Sequence, residues 1–377
     1  MRGNTYFKFA DRWAGIPLLL LSSLLKGRRT GSPPADPKRI VVVKFSALGD
    51  AILLIPSLRA LRKSFPASEV LFIGTKFTLP FLRQFGEYID EFVTVDLERL
   101  VRRPWSIVSI IRRVRAFGAD AAIDFEQWMR FSALLVGWSG AAFRAGFRTP
   151  GQHRHYAFTS GVARDRARHE AENFLALAET LAAPSGGTAL EVKIDEGSLI
   201  RAQGFLKRNG WEQETPVVIL HPGCGDHGMP REWPPERYGE LIARLAAKRK
   251  SAIIISGTKG ERAVMERAAS SAQVPVALYE IPTIEDFAAL ASLASLFISS
   301  NNGAMHLVAA LKVRQIALHG PTNFRQWGPL NPGAVVIRSA CPQCPCLDLG
   351  FEYHRTDGFC MRQIGVDEVW ENASRIL

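Results

Sequence analysis

Two distant stretches of the chain share one design: Ile40–Pro66 (IVVVKFSALGDAILLIPSLRALRKSFP) and Leu296–Thr322 (LFISSNNGAMHLVAALKVRQIALHGPT). Each reads as a short β-branched strand, a tight polar or Gly-bearing turn, then an amphipathic helix. Such a turn presents backbone N–H groups and the positive end of a helix dipole to whatever lies above it. Two such units, so far apart, predict two α/β lobes facing one cleft. A ligand bearing phosphates suits that place.

The rest of the chain alternates in the same way. Strands are predicted at Ile40–Phe45, Val70–Gly74, Phe92–Asp96, Ala121–Phe125, Val217–His221, Ala252–Ser256, Leu296–Ser299 and Gln315–Leu318. Between them apolar residues recur at helical spacing: Ala51, Leu54, Ile55, Leu58, Leu61 and Phe65, then Tyr238, Leu241, Ile242 and Leu245, then Ala304, Leu307, Val308 and Leu311. Pro234 and Pro235 stand where a helix begins. Pro56 predicts a kink or a second helix start. This alternation argues for parallel sheets with helices on both faces. The Pro-rich Gly31–Pro37 sets off residues 1–37 as an extension, and AAPSGGT (Ala182–Thr188) is the candidate linker between two domains, 38–185 and 186–377.

At 377 residues the chain is long enough for two ordinary domains. Its 47 Lys and Arg against 36 Asp and Glu leave a net charge of +11, which favours an anionic partner. No basic tract or aromatic repeat accompanies that charge, so nucleic acid is not expected. The apolar run Ile16–Leu25 is too short to span a bilayer, which takes about 20 residues. Basic residues flank it (Arg2, Lys8, Arg12, Lys26, Arg28, Arg29), and Trp13, Ile16, Leu20, Leu21 and Leu24 fall at helical spacing. It reads as a helix lying on an anionic membrane surface or as a helix docked on the protein itself. A signal peptide fits less well, because TGSPPADP is a poor cleavage site.

Chemistry-bearing residues cluster at strand ends. The turn Ser46-Ala47-Leu48-Gly49-Asp50 follows the first strand, at the edge that lines the ligand crevice in open α/β sheets. Asp50 is there either a helix cap or a general base. Gly223–Gly228 (GCGDHG) matches the dinucleotide fingerprint by letter, but Pro230, Pro234 and Pro235 delay the helix and no ribose-binding acid follows AIIIS. A Gly-rich loop against phosphates remains, and no nicotinamide or flavin cofactor is expected. Asn301 or Asn302 caps the next helix or meets a ligand, with Gly303 at its opening and His306 one turn in. Gly320-Pro321-Thr322 is a turn after another strand, and Glu261 is a first-turn helix acid. Cys341, Cys344, Cys346 and Cys360 offer four thiolates to zinc, a disulfide in an oxidising compartment, or reduced packing residues. The C-P-Q-C-P-C run departs from usual zinc spacing.

In the order and spacing of VVVKFSALGDAILLIPSLRALRKSFP, DFEQWMRFSAL, HEAENFLAL, HPGCG…REWPPERYGEL, SGTKGER, SNNGAMHLVAAL and HGPTNFRQWGPL, the chain resembles glycosyltransferase family 9, the ADP-heptose:lipopolysaccharide heptosyltransferases. The similarity runs from about Ile40 to about Val369. It implies a GT-B architecture, with an N-terminal acceptor lobe and a C-terminal nucleotide-sugar lobe. It implies inverting, metal-independent transfer of a sugar, heptose by expectation, from ADP-heptose to a lipopolysaccharide-core or related glycolipid. The family's base matches Asp50. A Lys of the family is replaced by Arg231, which keeps the charge and binds phosphate in a different geometry. The loop His221–Gly225, the helix opening at Gly303, and Thr322 resemble phosphate contacts. Glu261 resembles the acid facing the ribose, and His306 matches the family's donor helix. Many relatives carry Asp where this chain has Asn301, which leaves open another nucleotide-sugar or a member that only binds. A GT-B epimerase or hydrolase is a further alternative. Expected partners are a nucleotide-sugar, an anionic glycolipid and the inner face of the inner membrane.

Overall fold

The computed structural model describes residues 5–26, 31–181, 184, 186–212, 214–225, 228–248, 250–348 and 352–377. Asp226 and His227 of the GCGDHG run, and part of the AAPSGGT stretch, lie outside the described residues. The chain divides into two units, Met1–Thr188 and Ala189–Leu377.

Each unit is built on a six-stranded parallel sheet. The first contains β1 (Arg39–Val43), β2 (Glu69–Gly74), β3 (Glu91–Thr94), β4 (Ala121–Asp124), β5 (Phe143–Arg148) and β6 (Ser160–Ala163). The second contains β7 (Val217–His221), β8 (Ala252–Gly257), β9 (Ala277–Glu280), β10 (Leu296–Ser300), β11 (Gln315–His319) and β12 (Ala334–Arg338). The spatial orders are β3-β2-β1-β4-β5-β6 and β9-β8-β7-β10-β11-β12, which is one doubly wound topology used twice. In β1, Val41 lies opposite Leu71 on one side and Ala122 on the other. Strands buried on both faces need continuous apolar runs, and RIVVV, VVILH and LFISS supply them.

The four strands β5, β6, β9 and β12 escape the sequence reading. Three of them are sheet edges whose residues are mostly only partly buried; β6 and β9 carry no long apolar run, whereas the AVVI of β12 went unread. β5 (FRAGFR) holds Gly146 because a Cβ there would stand 2.2 Å from the Phe158 ring. The helix Leu48–Ser64 runs unbroken through Pro56. Expected to be amphipathic, it is buried over most of its surface, because the helix Glu170–Ala178 covers the side away from the sheet. The helix Gly303–Ala310 is likewise buried at seven of its eight residues.

In each sheet the strand order reverses between two neighbours, β1 and β4 in the first unit and β7 and β10 in the second. Crevices for ligands form outside the carboxyl ends of strands at such points.

The N-terminal segment forms two helices, Thr5–Trp13 and Gly15–Lys26. They dock on the helix Arg130–Trp138. Asp11 accepts the backbone N–H groups of Arg130 (3.0 Å) and Phe131 (2.9 Å) and pairs with the Arg130 guanidinium at 3.2 Å, capping that helix. Leu19 is buried against Ala133, Leu134 and Ala157, and Trp138 Nε1 donates to Ser22 Oγ at 3.0 Å. Docking leaves Phe9, Trp13, Leu18, Leu20, Leu21 and Leu24 exposed. No helix among the described residues is long and apolar enough to cross a membrane.

Candidate active site

In the first unit the β1–helix turn carries Ser46, Gly49 and Asp50. Asp50 is the third residue of its helix, and its Oδ2 accepts the Ala47 N–H at 3.3 Å. A residue the sequence reading passed over governs it. Lys44 closes β1, its side chain is fully buried, and its Nζ lies 3.0 Å from Asp50 Oδ2 and 3.2 Å from Glu126 Oε1. Glu126 follows β4, on the other side of the switch point, and its Oε1 also accepts the N–H groups of Phe45 (2.7 Å) and Ser46 (2.9 Å). The turn bearing Asp50 is therefore held by a carboxylate from the neighbouring strand.

The network runs deeper. Gln127 Oε1 accepts from Lys44 Nζ at 2.9 Å, and its amide donates to Glu170 Oε1 at 3.0 Å. Arg164 pairs with Glu170 at 2.8 Å. Asp124 binds the buried guanidinium of Arg154, yet burial pushes its carboxyl up to about 6, with Arg154 opposing and Glu126 adding to the rise. The visible signal was DFEQ directly after a buried apolar strand, where charge is costly without a partner.

In the second unit the loop after β7 is tied down from two directions. Glu261 Oε1 accepts the Gly225 N–H at 2.8 Å, and its Oε2 accepts the Thr258 N–H and hydroxyl, each at 2.8 Å. Burial acts to raise the Glu261 pKa, but His221, whose Nε2 lies 3.7 Å away, and these hydrogen bonds outweigh it and hold the pKa below the usual range. Gly223 is required by close approach, since a Cβ there would fall 2.4 Å from Glu261 Cδ. His221 Nδ1 meets Ser256 Oγ at 3.1 Å, and burial keeps the ring's pKa low despite Glu261.

Two side chains bolt this loop to the one after β10. Asn302 caps the helix Gly303–Ala310 by accepting the Met305 N–H at 2.9 Å, and its amide donates to the Gly223 carbonyl at 2.9 Å. Arg231 donates to the carbonyls of Asn301 (3.1 Å) and Cys224 (3.2 Å), and Tyr353 hydrogen-bonds its guanidinium. His221, Gly223, Arg231, Glu261, Asn301 and Asn302 thus form one hydrogen-bonded frame at the β7/β10 switch point.

Asn301 has its own task. Its amide donates to the Trp327 carbonyl at 2.7 Å, fastening the helix Phe324–Trp327. A carboxylate could not make that bond, because a carbonyl only accepts. Thr322 lies after β11, and its hydroxyl meets His319 Nδ1 at 2.9 Å. Burial drives His319 down to about 3. His306 is buried in the helix that Gly303 opens. Ser256 was missed because it acts through His221 on another strand, and His319 because it closes a buried strand and acts through Thr322 of the turn that follows. The four tail cysteines converge on one another, beside Gly320.

Both units present fixed polar groups where a doubly wound sheet binds ligands, a buried carboxylate in one and backbone N–H groups in the other. Comparison with known proteins agrees with that layout. The model of glycosyltransferase family 9 (heptosyltransferase) matches residues 107–353. Lipopolysaccharide heptosyltransferase 1 of Pseudomonas aeruginosa is 25% identical over 337 residues, covering 85% of this chain and 89% of that protein. The enzyme of the same name from Escherichia coli strain K12 is 25% identical over 317 residues, covering 80% of this chain and 93% of its own. The crystal structure of a family 9 glycosyl transferase from Veillonella parvula superposes with a TM-score of 0.74 at 21% identity, covering 92% of this chain and 99% of its own. Two doubly wound units, seven motifs in family order and a family match across most of the sequence lead to one assignment: the chain belongs to glycosyltransferase family 9 and is a glycosyltransferase.

Proposed function

We propose that this chain transfers heptose, with inversion, from ADP-heptose to a lipopolysaccharide-core acceptor, using Asp50 as general base and no metal ion in the chemical step. The Asp50 carboxylate takes the proton of the acceptor hydroxyl. The acceptor oxygen forms its bond to the anomeric carbon as the bond from that carbon to the diphosphate breaks, and ADP leaves with the electron pair. The observation that carries the reading is the buried Lys44–Asp50–Glu126 cluster at the sheet's switch point. It fixes a carboxylate where an acceptor is expected.

The donor side of the reading rests on the frame at β7 and β10. The opening of the helix Gly303–Ala310 offers N–H groups to the diphosphate beside the loop that carries Gly223, and Arg231 adds charge there. Thr322 and His306 complete the donor set. Glu261 faces the ribose while holding the loop. The 38–185 domain serves the acceptor and 186–377 the donor. The exposed face of Trp13, Leu20, Leu21 and Leu24, on a chain of net charge +11, seats the enzyme on the cytoplasmic face of the inner membrane.

The test is direct. ADP-heptose and a heptose-deficient lipopolysaccharide core are incubated with the enzyme without added divalent cation. Release of ADP with an acceptor mass gain of one heptosyl unit, and an inverted anomeric configuration by NMR, is the expected result. Conversion of donor alone would instead mark an epimerase or hydrolase. Donor binding without product across a panel of acceptors would mark a binding protein.

A further inference from the structure

We propose that Cys341, Cys344, Cys346 and Cys360 form a tetrathiolate site for one soft, tetrahedral divalent metal ion, which clamps the C-terminal tail to the Gly320–Thr322 loop.

The sulfur positions carry the argument. Cys346 Sγ lies 3.6 Å from Cys360 Sγ, and Cys360 Sγ lies 3.8 Å from Cys341 Sγ. The sulfurs of Cys341, Cys344 and Cys360 all fall within 4.8 Å of one another. Metal–sulfur bonds of about 2.3 Å in a tetrahedron place sulfurs roughly 3.8 Å apart. A disulfide needs about 2.05 Å. Cys341, Cys344 and Cys360 have the spacing of ligands around a shared centre, and Cys346 joins them at Cys360.

The surroundings fit the same reading. Cys341, Cys346 and Cys360 are buried, and among the described residues their hydrophobic cluster is completed by Cys344 and Phe359. Cysteines serving as ordinary packing residues would be interleaved with aliphatic side chains. Cys344 is half-buried, which leaves a way in for an ion. The Cys344 N–H donates to the Cys341 carbonyl at 3.0 Å, closing the C-P-Q-C turn that sets two sulfurs side by side. The Gln343 N–H points to the Cys341 sulfur, and Arg355 lies beside Cys341 and Cys360. Both offset the negative charge of gathered thiolates. The short helix Phe359–Arg362 delivers Cys360 from the far side of a hairpin, which is why the four cysteines named from the sequence depart from usual zinc spacing.

The site reaches the donor unit's loops. The N–H groups of Cys346 and Leu347 both donate to the Pro321 carbonyl at 2.9 Å. A Cβ on Gly320 would stand 2.4 Å from Met361 Sδ and 3.2 Å from Cys360 Cβ. A metal holding the four cysteines therefore fixes the backbone on which Thr322 sits. The inference stands on sulfur geometry and does not depend on which sugar is transferred.

The full chain, purified under reducing conditions without chelator, is analysed by elemental mass spectrometry. A stoichiometric amount of zinc or iron is expected, and visible thiolate-to-iron absorption separates the two. Cobalt(II) exchanged into the site is expected to give the intense ligand-field bands of a tetrahedral thiolate centre. Cys344→Ser, at the half-buried position, is expected to lose most of the metal, while Cys224→Ser retains it. Should a variant not fold, the wild-type chain is stripped in denaturant and refolded with cobalt(II), which must restore those bands. A folded, thiol-reduced protein that takes up no zinc, iron or cobalt overturns the proposal. So does a mass deficit showing a disulfide, or unchanged metal content in folded Cys344→Ser.

Discussion

Lys44 Nζ stands 3.0 Å from Asp50 Oδ2 and 3.2 Å from Glu126 Oε1, one buried ammonium between two buried carboxylates. The three groups come from β1, the helix after it and the loop after β4. The candidate base is therefore positioned from the neighbouring strand as well as by its own turn, and its behaviour depends on both.

Asp50→Asn keeps the side chain's shape and leaves Lys44 paired with Glu126. The variant is expected to fold normally and bind donor, and to lose transfer by about 10²–10⁴-fold. Single-turnover kinetics beside a thermal melt measure this. Retained turnover would remove Asp50 from the base role.

Lys44→Met takes the cation from between two buried carboxylates. Breaking a buried pair costs about 3–5 kcal/mol. Denaturant unfolding should show the loss, and it should be smaller in the Lys44→Met, Glu126→Gln double variant. Equal losses in both would mean that the charges are not coupled.

Asn301→Asp brings a carboxylate against the Trp327 carbonyl, where the amide now donates at 2.7 Å. The expected cost is about 1–3 kcal/mol, with weaker donor binding as the Phe324–Trp327 helix loosens. A thermal-shift titration with ADP-heptose reads both effects. A variant that is more stable and binds donor better would show that the amide is not needed here.

The buried histidines set an acid limit on stability. His319, held at about 3, stays neutral in the folded protein at mildly acid pH, whereas an unfolded histidine protonates near 6.5, and burial pushes His221 in the same direction. Below that value the unfolded state binds more protons, so stability rises with pH up to about 6.5, by up to ~1.4 kcal/mol per unit for each group. Glu261, held low, acts in the same direction at more acid pH. Asp124, raised to about 6, acts oppositely, since its contribution is lost as pH rises through that value. Asp124 offsets most of the His319 slope between about pH 5 and 6, so denaturation midpoints from about pH 5 to 7 should climb modestly, with His221 adding to the rise, and then level. A flat profile would mean that the histidines are protonated in the native state.

Leu21→Glu with Leu24→Glu changes residues that are 51% and 81% exposed, so folding should be unaffected. Co-sedimentation with vesicles containing anionic lipid is expected to fall severalfold, while transfer to a soluble, delipidated acceptor is unchanged. Equal binding by wild type and variant would dismiss the membrane face.

The chain is unevenly legible. β1, β7 and β10 could be read because buried parallel strands are continuous apolar runs. β6 and β9 could not, because these edge strands carry no such run, and the AVVI of β12 went unread. Asp50, Gly223 and Asn302 sit in turns directly after legible strands, so strand periodicity located them. Lys44 and Glu126 are adjacent only because β1 and β4 are neighbours in the sheet. The two strand–turn–helix stretches that look alike hold different places: β1 corresponds to β7, whereas β10 corresponds to β4. Both nonetheless border a switch point.

What the sequence by itself determined is the alternation of strands and helices, the polar turns at strand ends and the family. Those features are encoded within a few residues, by backbone hydrogen bonding and side-chain periodicity. Only the tertiary structure decided which charge neutralises which, why Asn301 is an amide, and that four sulfurs meet at one point. Each of those depends on segments brought together by sheet order and packing, where distance in space is unrelated to distance along the chain.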